Sequence, residues 1–300
     1  VQYIIGQLNS PVEQLMNFFY SVQDVKISLE RINEIHQMDD ENGKEGLLTG
    51  LDHPENGIHI SNIMFKYDPH ALRKTIDGVD ILIPQGKVTA IVGASGSGKT
   101  TLIRLMLGYY PVLEGKITIG DTDINQLNRK WWRRQCGVVM QEGVIFSESI
   151  KRNIAVDDAE IDEARLMRAA EIACIKDYVM ALPLKFNTKI GRDGVGLSQG
   201  QKQRILIARA VYKNPDYIFL DEATNSLDAN NERNIVENLD KFYQGKTVVI
   251  VAHRLSTVKN ADQIVVLNQG KVVEVGNHES LTAKRGAYYN LVKNQLELGN

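Results

Sequence analysis

The sequence predicts an α/β fold with a largely parallel sheet, preceded by one long helix. From residue 58 onward, short apolar runs alternate with amphipathic stretches of helical periodicity, the arrangement expected of strands joined by helices. A glycine-rich loop lies at 93–100, between a predicted strand and a predicted helix. Residues 11–36 follow a single helical repeat instead. Together these features predict an α/β unit behind a separate helix.

The composition is that of a globular protein. Hydrophobic residues make up 43% and charged residues 24% of the 300 residues, and the net charge is −2. Intrinsic disorder needs fewer apolar residues and a larger net charge. The overall charge balance also lacks the basic character of a nucleic-acid-binding surface. Cys136 and Cys174 form no CxxC pair, so they predict neither a disulfide framework nor a zinc site.

Residues 11–36 are predicted to form one long helix that begins at Pro11, with Ser10 as its N-cap. Its apolar residues alternate at spacings of three and four, a heptad stripe, and they are Leu15, Phe18, Val22, Val25, Leu29 and Ile32. The polar segment 37–57 is the best linker in the chain. No apolar run of about 18 residues is present, so the sequence has no clean membrane span. Because the chain begins with Val1 rather than Met, we expect a fragment of a longer protein.

Strands and helices are predicted in alternation beyond this linker. The predicted strands are 58–67, 79–83, 87–93, 116–120, 136–141, 217–221 and 247–252, with a hairpin at 263–275. The predicted helical regions are 101–110, 148–182, 199–212 and 230–243. Buried strands of parallel sheets read as continuous apolar runs, as several of these do.

The clearest chemical motif is the glycine-rich loop. Its residues match GxxxxGK[ST], and they are Gly93, Ala94, Ser95, Gly96, Ser97, Gly98, Lys99 and Thr100. The glycines let backbone N–H groups point at phosphate oxygens, and the following helix start adds partial positive charge. Lys99 supplies a charge for the β- and γ-phosphates, and the Thr100 hydroxyl is a ligand for Mg²⁺. The loop therefore predicts binding of a nucleoside triphosphate with Mg²⁺.

A second motif is the apolar strand 217–221, which ends in Asp221 and is followed by Glu222. Ligands of open α/β sheets bind at the carboxyl ends of the strands. Asp221 is predicted to hold the metal, and Glu222 to take a proton from an attacking water. Two acids after a strand are weak evidence of a metal ligand and a general base when they stand alone. In a chain that also has a phosphate loop, they are strong evidence of both.

The segment Leu197-Ser198-Gln199-Gly200-Gln201 opens the predicted helix 199–212, and here the sequence resembles the ATP-binding cassette family, whose signature is usually LSGGQ. The resemblance covers about residues 58–284. It implies a P-loop NTPase cassette with a mainly parallel core sheet, an antiparallel β subdomain and a helical subdomain at about 148–212. It also implies ATP as the nucleotide, used with Mg²⁺.

Further residues match the family's motifs in order, and their roles are those that the resemblance implies. Tyr67 would stack on adenine, Gln141 would reach Mg²⁺ and sense the membrane partner, and His253 would be the switch histidine. Nucleotide contacts are also implied for Thr101, Ser198, Gly200, Gln201 and Asp228. Read alone, Tyr67 is more often a half-buried sheet residue, Gln141 a surface amide and His253 a hydrogen-bonded histidine.

The resemblance implies a head-to-tail homodimer of cassettes, in which each ATP lies between one phosphate loop and the partner's signature. Two departures from the family pattern stand out. Gln199 stands where the family usually has glycine, so the backbone next to the phosphate is expected to lose φ freedom at this position. Arg192, in a loop at 190–194 that resembles the exporters' membrane-domain contact, replaces the usual acid.

Cassettes fused behind a transmembrane bundle are typical of the family's exporters. We therefore expect 1–44 to be the end of the last transmembrane-domain helix with its linker, and 45–300 to be the nucleotide-binding domain. The expected partners are a second cassette, the transmembrane domain of the same chain, and the membrane, reached through an upstream region absent from this sequence. The fragment would lie at the cytoplasmic face of the cell membrane. A faint similarity to peptidase-containing peptide exporters favours a peptide cargo over a lipid or a drug.

Two other functions stay open. A soluble cassette ATPase acting on nucleic acid or ribosomes often carries a long insertion between the phosphate loop and the signature, or two cassettes in one chain. Here the interval from Lys99 to Ser198 leaves room only for a small helical subdomain, so no nucleic-acid partner is expected. A regulatory, inactive cassette is disfavoured by four intact residues, which are Lys99, Asp221, Glu222 and His253. The run Trp131-Trp132-Arg133-Arg134 favours an amphipathic surface helix over a nucleic-acid contact.

Overall fold

The computed structural model describes residues 2–38, 46–156, 158–224, 229–252 and 255–298. The chain divides into two compact units, Val1–Gly46 and Leu47–Asn300. The ten strands found in the described residues are β1 (Ile58–Phe65), β2 (Ile76–Ile83), β3 (Val88–Val92), β4 (Glu114–Ile119), β5 (Thr122–Asp123), β6 (Cys136–Val139), β7 (Tyr217–Asp221), β8 (Thr247–Val251), β9 (Gln263–Asn268) and β10 (Lys271–Gly276).

The helices of the same described residues follow in chain order. They are α1 (Gln2–His36), α2 (Lys99–Met106), α3 (Arg129–Gln135), α4 (Ile150–Ile154), α5 (Glu163–Ile172), α6 (Lys176–Ala181), α7 (Gln199–Lys213), α8 (Ala229–Phe242), α9 (Leu255–Val258), α10 (His278–Lys284) and α11 (Ala287–Leu298). Two short 3₁₀ turns lie at Pro54–Asn56 and Lys185–Asn187.

In the first unit, the described residues form one helix, α1. Its predicted start at Pro11 was wrong, because Pro11 lies inside the helix. Proline removes one backbone donor and favours the first helical turn, but the apolar residues before it continue the helix. The stripe residues predicted from the heptad pattern are all exposed, from 48% at Val22 to 65% at Val25. Among the described residues, no helix is both long and apolar enough to cross a membrane.

The predicted linker 37–57 is too long at its carboxyl end. Residues 39–45 lie outside the described residues, but Leu48 forms a bridge with Leu127. The backbone N–H of Asp52 donates to Thr122 Oγ1 over 3.0 Å. Leu51 packs against the core of the second unit. This stretch therefore belongs to the second unit, although its turn residues are those of a linker.

Two sheets form the second unit, as the fold prediction required. One is antiparallel, with the strand order β2-β1-β4-β5. The other has the order β10-β9-β3-β8-β7-β6, in which all neighbours are parallel except the β9–β10 hairpin. This is a mainly parallel core sheet beside an antiparallel one, and the prediction of fold class is confirmed.

The core sheet is covered by a hydrophobic core on each face. Alternate residues of a strand point to opposite faces, so Ala90 and Val92 of β3 belong to one core and Ile91 to the other. The first core is completed by α4, α5, α7 and α8, and the second by α2, α3 and the antiparallel sheet. The helical subdomain predicted at about 148–212 corresponds to the stretch from α4 through α7.

Candidate active site

The parallel strands of the core sheet end together at one edge. Asp221 of β7 and Ile91 of β3 both pair with Val251 of β8. Val139, the last residue of β6, pairs with Leu220. The segments that follow these four strands carry the phosphate loop and the predicted residues Gln141, Glu222 and His253. This edge is where open α/β sheets bind ligands.

Glycine is required at two turns of the phosphate loop. Gly93 has φ of 154°, and a side chain there would collide with the carbonyl oxygen of Leu267. Gly98 has φ of 104° at the N-cap of α2, and a Cβ there would lie 2.7 Å from Ile76 Cδ1. The curl of the loop therefore depends on residues without a Cβ. Its tip, Ala94-Ser95-Gly96, is exposed, whereas Ser97 is buried.

Lys99 is held inside this curl. Its side chain is buried, and Nζ donates to the carbonyl oxygens of Gly93 and Ala94 over 3.0 and 2.9 Å. Burial lowers the pKa of Lys99, while the charges of Glu222 and Asp221 raise it. An ammonium group has three donors, so the two carbonyls leave one for a phosphate oxygen. The loop thus presents a positioned positive charge.

Thr100 and Asp221 form an oxygen pair suited to Mg²⁺. Thr100 Oγ1 donates to Asp221 Oδ1 over 3.1 Å. Asp221 is 1% exposed, and its Oδ2 has no hydrogen-bond partner among the described residues. Burial raises the pKa of Asp221, and the Thr100 hydrogen bond opposes that shift. A buried carboxylate oxygen needs a partner, and Mg²⁺ prefers such hard oxygen ligands.

This oxygen pair is not a complete metal cage. In the part of the chain that the structure describes, no group of three or more His, Cys, Asp or Glu side chains forms a metal site. Mg²⁺ in nucleotide sites takes one or two protein oxygens together with substrate phosphates. Gln141, the further predicted ligand, lies in an exposed turn just beyond β6. The donor set therefore fits Mg²⁺ that arrives with a nucleotide.

Glu222 stands where the sheet ends, in an unusual backbone conformation. Its φ is 53°, in the left-handed region, and its N–H donates to Val251 O over 3.0 Å. The charge of Glu222 acts on the pKa of both Lys99 and Asp221. The predicted base is thus an electrostatic neighbour of Lys99 and Asp221, the residues predicted to bind the phosphates and the metal.

Tyr67 lies in a small aromatic cluster beside α2. Its ring is 48% exposed and meets the rings of Phe65 and Tyr110 edge to face, at 4.9 and 5.3 Å between centroids. Its hydroxyl is 3.1 Å from Thr101 Oγ1. Sequence reasoning missed Tyr110, whose only signal was the pair of tyrosines at the end of the predicted helix 101–110. That helix ends at Met106, and Gly108 has φ of 68° just beyond it.

The signature segment begins α7 with a capping box. Ser198 Oγ accepts from Gln201 N over 3.2 Å, and Ser198 N donates to Gln201 Oε1 over 2.8 Å. Gln199 and Gly200 form the first helical positions. Gln199 therefore has ordinary helical backbone, and the expected loss of φ freedom has no consequence in this conformation. Ser198 and Gln199 are exposed at the helix start.

The loop at 190–194 packs on the segment that follows Gln141. Ile190 N donates to Glu148 O over 2.9 Å, and Arg192 N donates to Ser147 Oγ over 3.1 Å. The Arg192 side chain is exposed. Two other predicted site residues, Asp228 and His253, lie outside the described residues.

Comparison with known proteins identifies the family. The model of the family described as ABC transporter matches residues 76–225, half of the chain. The leukotoxin translocation ATP-binding protein LktB of Mannheimia haemolytica is 40% identical over 293 residues, which are 98% of this chain and 41% of that protein. A protein of the same description from Bibersteinia trehalosi matches with the same identity and coverage.

A solved structure shares the fold. A bacterial Atm1-family ABC exporter with ATP bound has a TM-score of 0.84 and 32% sequence identity to this chain. The match covers 91% of this chain and 48% of that one. The chain thus spans less than half the length of the relatives it resembles.

Proposed function

This chain belongs to the ABC transporter family, and from that premise we propose that it is the ATP-binding and ATP-hydrolysing motor domain of an exporter. One observation carries the proposal. At the carboxyl edge of the core sheet, the loop-bound Lys99 lies beside the Thr100–Asp221 oxygen pair. This arrangement suits a triphosphate and its metal.

Each residue has a distinct part in the proposed reaction. The loop N–H groups and Lys99 bind the phosphates, and Thr100 and Asp221 hold Mg²⁺, with Gln141 as a further ligand. When bound, Mg²⁺ neutralises charge on the β- and γ-phosphates. Glu222 takes a proton from the attacking water as its oxygen approaches the γ-phosphorus. His253 holds this water and the γ-phosphate together, and Tyr67 supports the adenine.

A second cassette completes the proposed site. The start of α7 carries partial positive charge from its backbone N–H groups, and Ser198 stands exposed there. In a head-to-tail homodimer, Ser198, Gly200 and Gln201 of one chain face the γ-phosphate held by the other, and Asp228 adds to the same interface. Closure of the pair expels water, and hydrolysis reopens it.

The transmembrane domain of the same chain is the proposed partner of a basic groove. The groove has a volume of about 520 Å³ and lies between the core sheet and the helical subdomain. Its charged lining residues are Arg133, Arg134, Arg165, Arg209 and Lys213, with one acid, Asp158. Phe146, at its wall, precedes Ser147, which contacts the loop at 190–194. Charge complementarity favours an acidic segment of the transmembrane domain as the occupant.

This docking is tested in the whole transporter. Reversing the charge of the exposed Arg134 with Arg134→Glu should lower ATP-driven transport, because the acidic segment is then repelled. Lys130→Glu, on the same helix but outside the groove, is the matched control. Equal transport by both variants would contradict the assignment.

We further place residues 1–44 as the end of the last transmembrane-domain helix with its linker, and 45–300 as the cassette at the cytoplasmic face of the cell membrane. The relatives named for leukotoxin translocation favour a peptide or protein cargo. The alignment covers 293 residues, 98% of the chain, and so includes most of α1. Neither the fold nor the relatives support the alternative, a soluble ATPase acting on nucleic acid or ribosomes.

The proposed activity is tested by nucleotide titration and phosphate release with Mg²⁺. Lys99→Ala removes the charge that faces the phosphates, so ATP affinity should fall by about tenfold or more. Lys130→Ala removes an exposed lysine of α3 and should bind ATP like the wild type. An unchanged ATP affinity in Lys99→Ala would contradict the proposed site.

A further inference from the structure

The hydroxyl of Tyr67 is tied to the helix that follows the phosphate loop. It lies 3.1 Å from Thr101 Oγ1, and Arg104 Nη1 donates to it over 3.3 Å. A guanidinium group can only donate hydrogen bonds. The Tyr67 hydroxyl therefore accepts from Arg104, while either oxygen can be the donor in its hydrogen bond with Thr101. The three groups form one hydrogen-bonded chain.

This tie matters because Tyr67 lies in a connection and not in a regular element. It follows β1 by two residues and its ring is 48% exposed. Phe65 and Tyr110 support the ring through edge-to-face contacts only. A half-exposed ring on a loop loses rotational freedom when a ligand binds it, and fixing it beforehand improves affinity.

The two residues that hold the hydroxyl lie on α2, the helix that the phosphate loop opens. Thr101 directly follows Lys99 and Thr100, and it is buried. Arg104 lies one turn further along the same helix face. The helix that begins at the phosphate site therefore also fixes the ring of Tyr67 at a set distance from it.

Resting on the proposed function, we propose that Thr101 and Arg104 are positioning residues that hold the Tyr67 ring for the base of the bound nucleotide. The ring supplies the stacking surface, and the hydroxyl supplies its orientation. Loss of the hydroxyl alone weakens binding of a nucleotide that carries a base. It does not change binding of a bare phosphate chain.

The test compares two ligands, Mg-ATP and inorganic tripolyphosphate with Mg²⁺, by calorimetric titration of the full chain. Tyr67→Phe keeps the ring and removes the hydroxyl, so ATP affinity should fall about three- to tenfold, with tripolyphosphate affinity unchanged. Tyr289→Phe makes the same chemical change on α11, outside the aromatic cluster, and should bind ATP like the wild type. Thermal unfolding of each variant checks that it is folded.

A double-mutant cycle isolates the tie itself. Thr101→Val removes the hydroxyl that bonds to Tyr67 at nearly constant volume, and any effect on the phosphate site appears in the tripolyphosphate affinity. The ratio of ATP to tripolyphosphate affinity should fall in Thr101→Val. Adding Tyr67→Phe should lower it further by less than Tyr67→Phe does alone, because Thr101→Val leaves only the Arg104 hydrogen bond to be lost. Arg104→Lys, which keeps a donor, should retain more of this ratio than Arg104→Met.

Three results overturn the inference: an ATP affinity of Tyr67→Phe equal to that of the wild type, an equal loss of tripolyphosphate affinity, or additive losses in the cycle. A different result concerns the proposed function. Tyr67→Ala removes ring and hydroxyl together, and unchanged binding of ATP and GTP by that variant would contradict base stacking itself.

Discussion

In the proposed reaction, proton transfer from water depends on one residue, Glu222. A left-handed backbone at a residue other than glycine costs about 1–3 kcal/mol and persists where the surroundings over-determine it. Here the N–H of Glu222 is fixed by Val251 O at the end of the adjacent strand. The strained turn places a carboxylate next to Lys99 and Asp221, where a water attacking the γ-phosphate would need its base.

Glu222→Gln should therefore separate binding from turnover. Glutamine keeps the shape and the backbone requirement of glutamate but has no basicity, so turnover should fall by about 10²- to 10⁴-fold with ATP binding retained. A phosphate-release assay measures the rate, and Glu279→Gln, an exposed acid at the start of α10, is the control. Near-normal turnover would exclude Glu222 as the general base.

Ser198 and Gln199 should respond differently to substitution. Gln199→Gly should change turnover less than tenfold, which corresponds to about 1.4 kcal/mol of barrier, because the structure gives Gln199 an ordinary helical backbone. Ser198→Arg should nearly abolish turnover, since a bulky side chain would fill the place of the γ-phosphate. A hundredfold gain of turnover in Gln199→Gly would indicate a degenerate, slow site.

The matched control for Ser198→Arg is Ser198→Ala. Both variants lose the capping box with Gln201, which costs about 0.5–2 kcal/mol of stability. Only arginine adds bulk at the helix start. If the alanine variant loses turnover as completely as the arginine variant, the effect comes from the lost serine hydroxyl, which caps α7 and is proposed to face the γ-phosphate, and not from occlusion.

At the scale of elements, α3 shows that a suggestive run of residues can be structural. Trp132 is 1% exposed, its Nε1 donates to Met106 O over 2.9 Å, and its ring meets that of Tyr217 edge to face. Trp131 on the same helix is only partly buried. One tryptophan therefore joins α3 to the core, which leaves no pair of exposed rings for nucleic acid.

Trp132→Ala should lower the free energy of unfolding by about 3–5 kcal/mol, because a large buried ring and its hydrogen bond are lost. Urea unfolding measures this change. Trp131→Ala, the same substitution at the half-buried position of the same helix, should cost clearly less. Equal losses at the two positions would contradict the burial pattern.

The sequence could predict most strands because parallel strands buried on both faces read as continuous apolar runs. The two residues of β5 are too few to produce a pattern, and the start of β2 at Ile76 is hidden by the polar Asp77 and by Gly78. Helix ends are harder to predict from the sequence than strands. Pro11 resembles a helix start but lies within α1, because capping signals act locally and flanking residues can continue the helix.

The site residues were predictable where a motif fixes their spacing. The phosphate loop, Asp221 and Glu222 are adjacent to strands and follow from the order of the chain. Tyr110 and Arg104 could not be found in this way, since their contacts with Tyr67 join segments that are distant in sequence. Only the folded chain shows that the aromatic cluster lies beside α2 and is hydrogen-bonded to it through Tyr67.

For the whole molecule, the central claim is that ATP joins two cassettes. The binding energy of a bridging ATP contributes to the interface, so association is linked to nucleotide occupancy. The exposed stripe of α1, which includes Leu15, Phe18 and Leu29, offers a competing cause, because such a stripe can pair helices without nucleotide. The compact unit Leu47–Asn300 lacks that stripe and separates the two causes.

Light scattering of the Glu222→Gln variant tests this claim most directly. This variant is expected to bind ATP and barely hydrolyse it. It should therefore be a dimer in Mg-ATP and a monomer in Mg-ADP, both in the full chain and in a version that starts at Leu47. Adding Ser198→Arg should return it to a monomer in Mg-ATP. A dimer that vanishes with residues 1–46, or one that persists equally in Mg-ADP, would contradict an ATP-bridged pair.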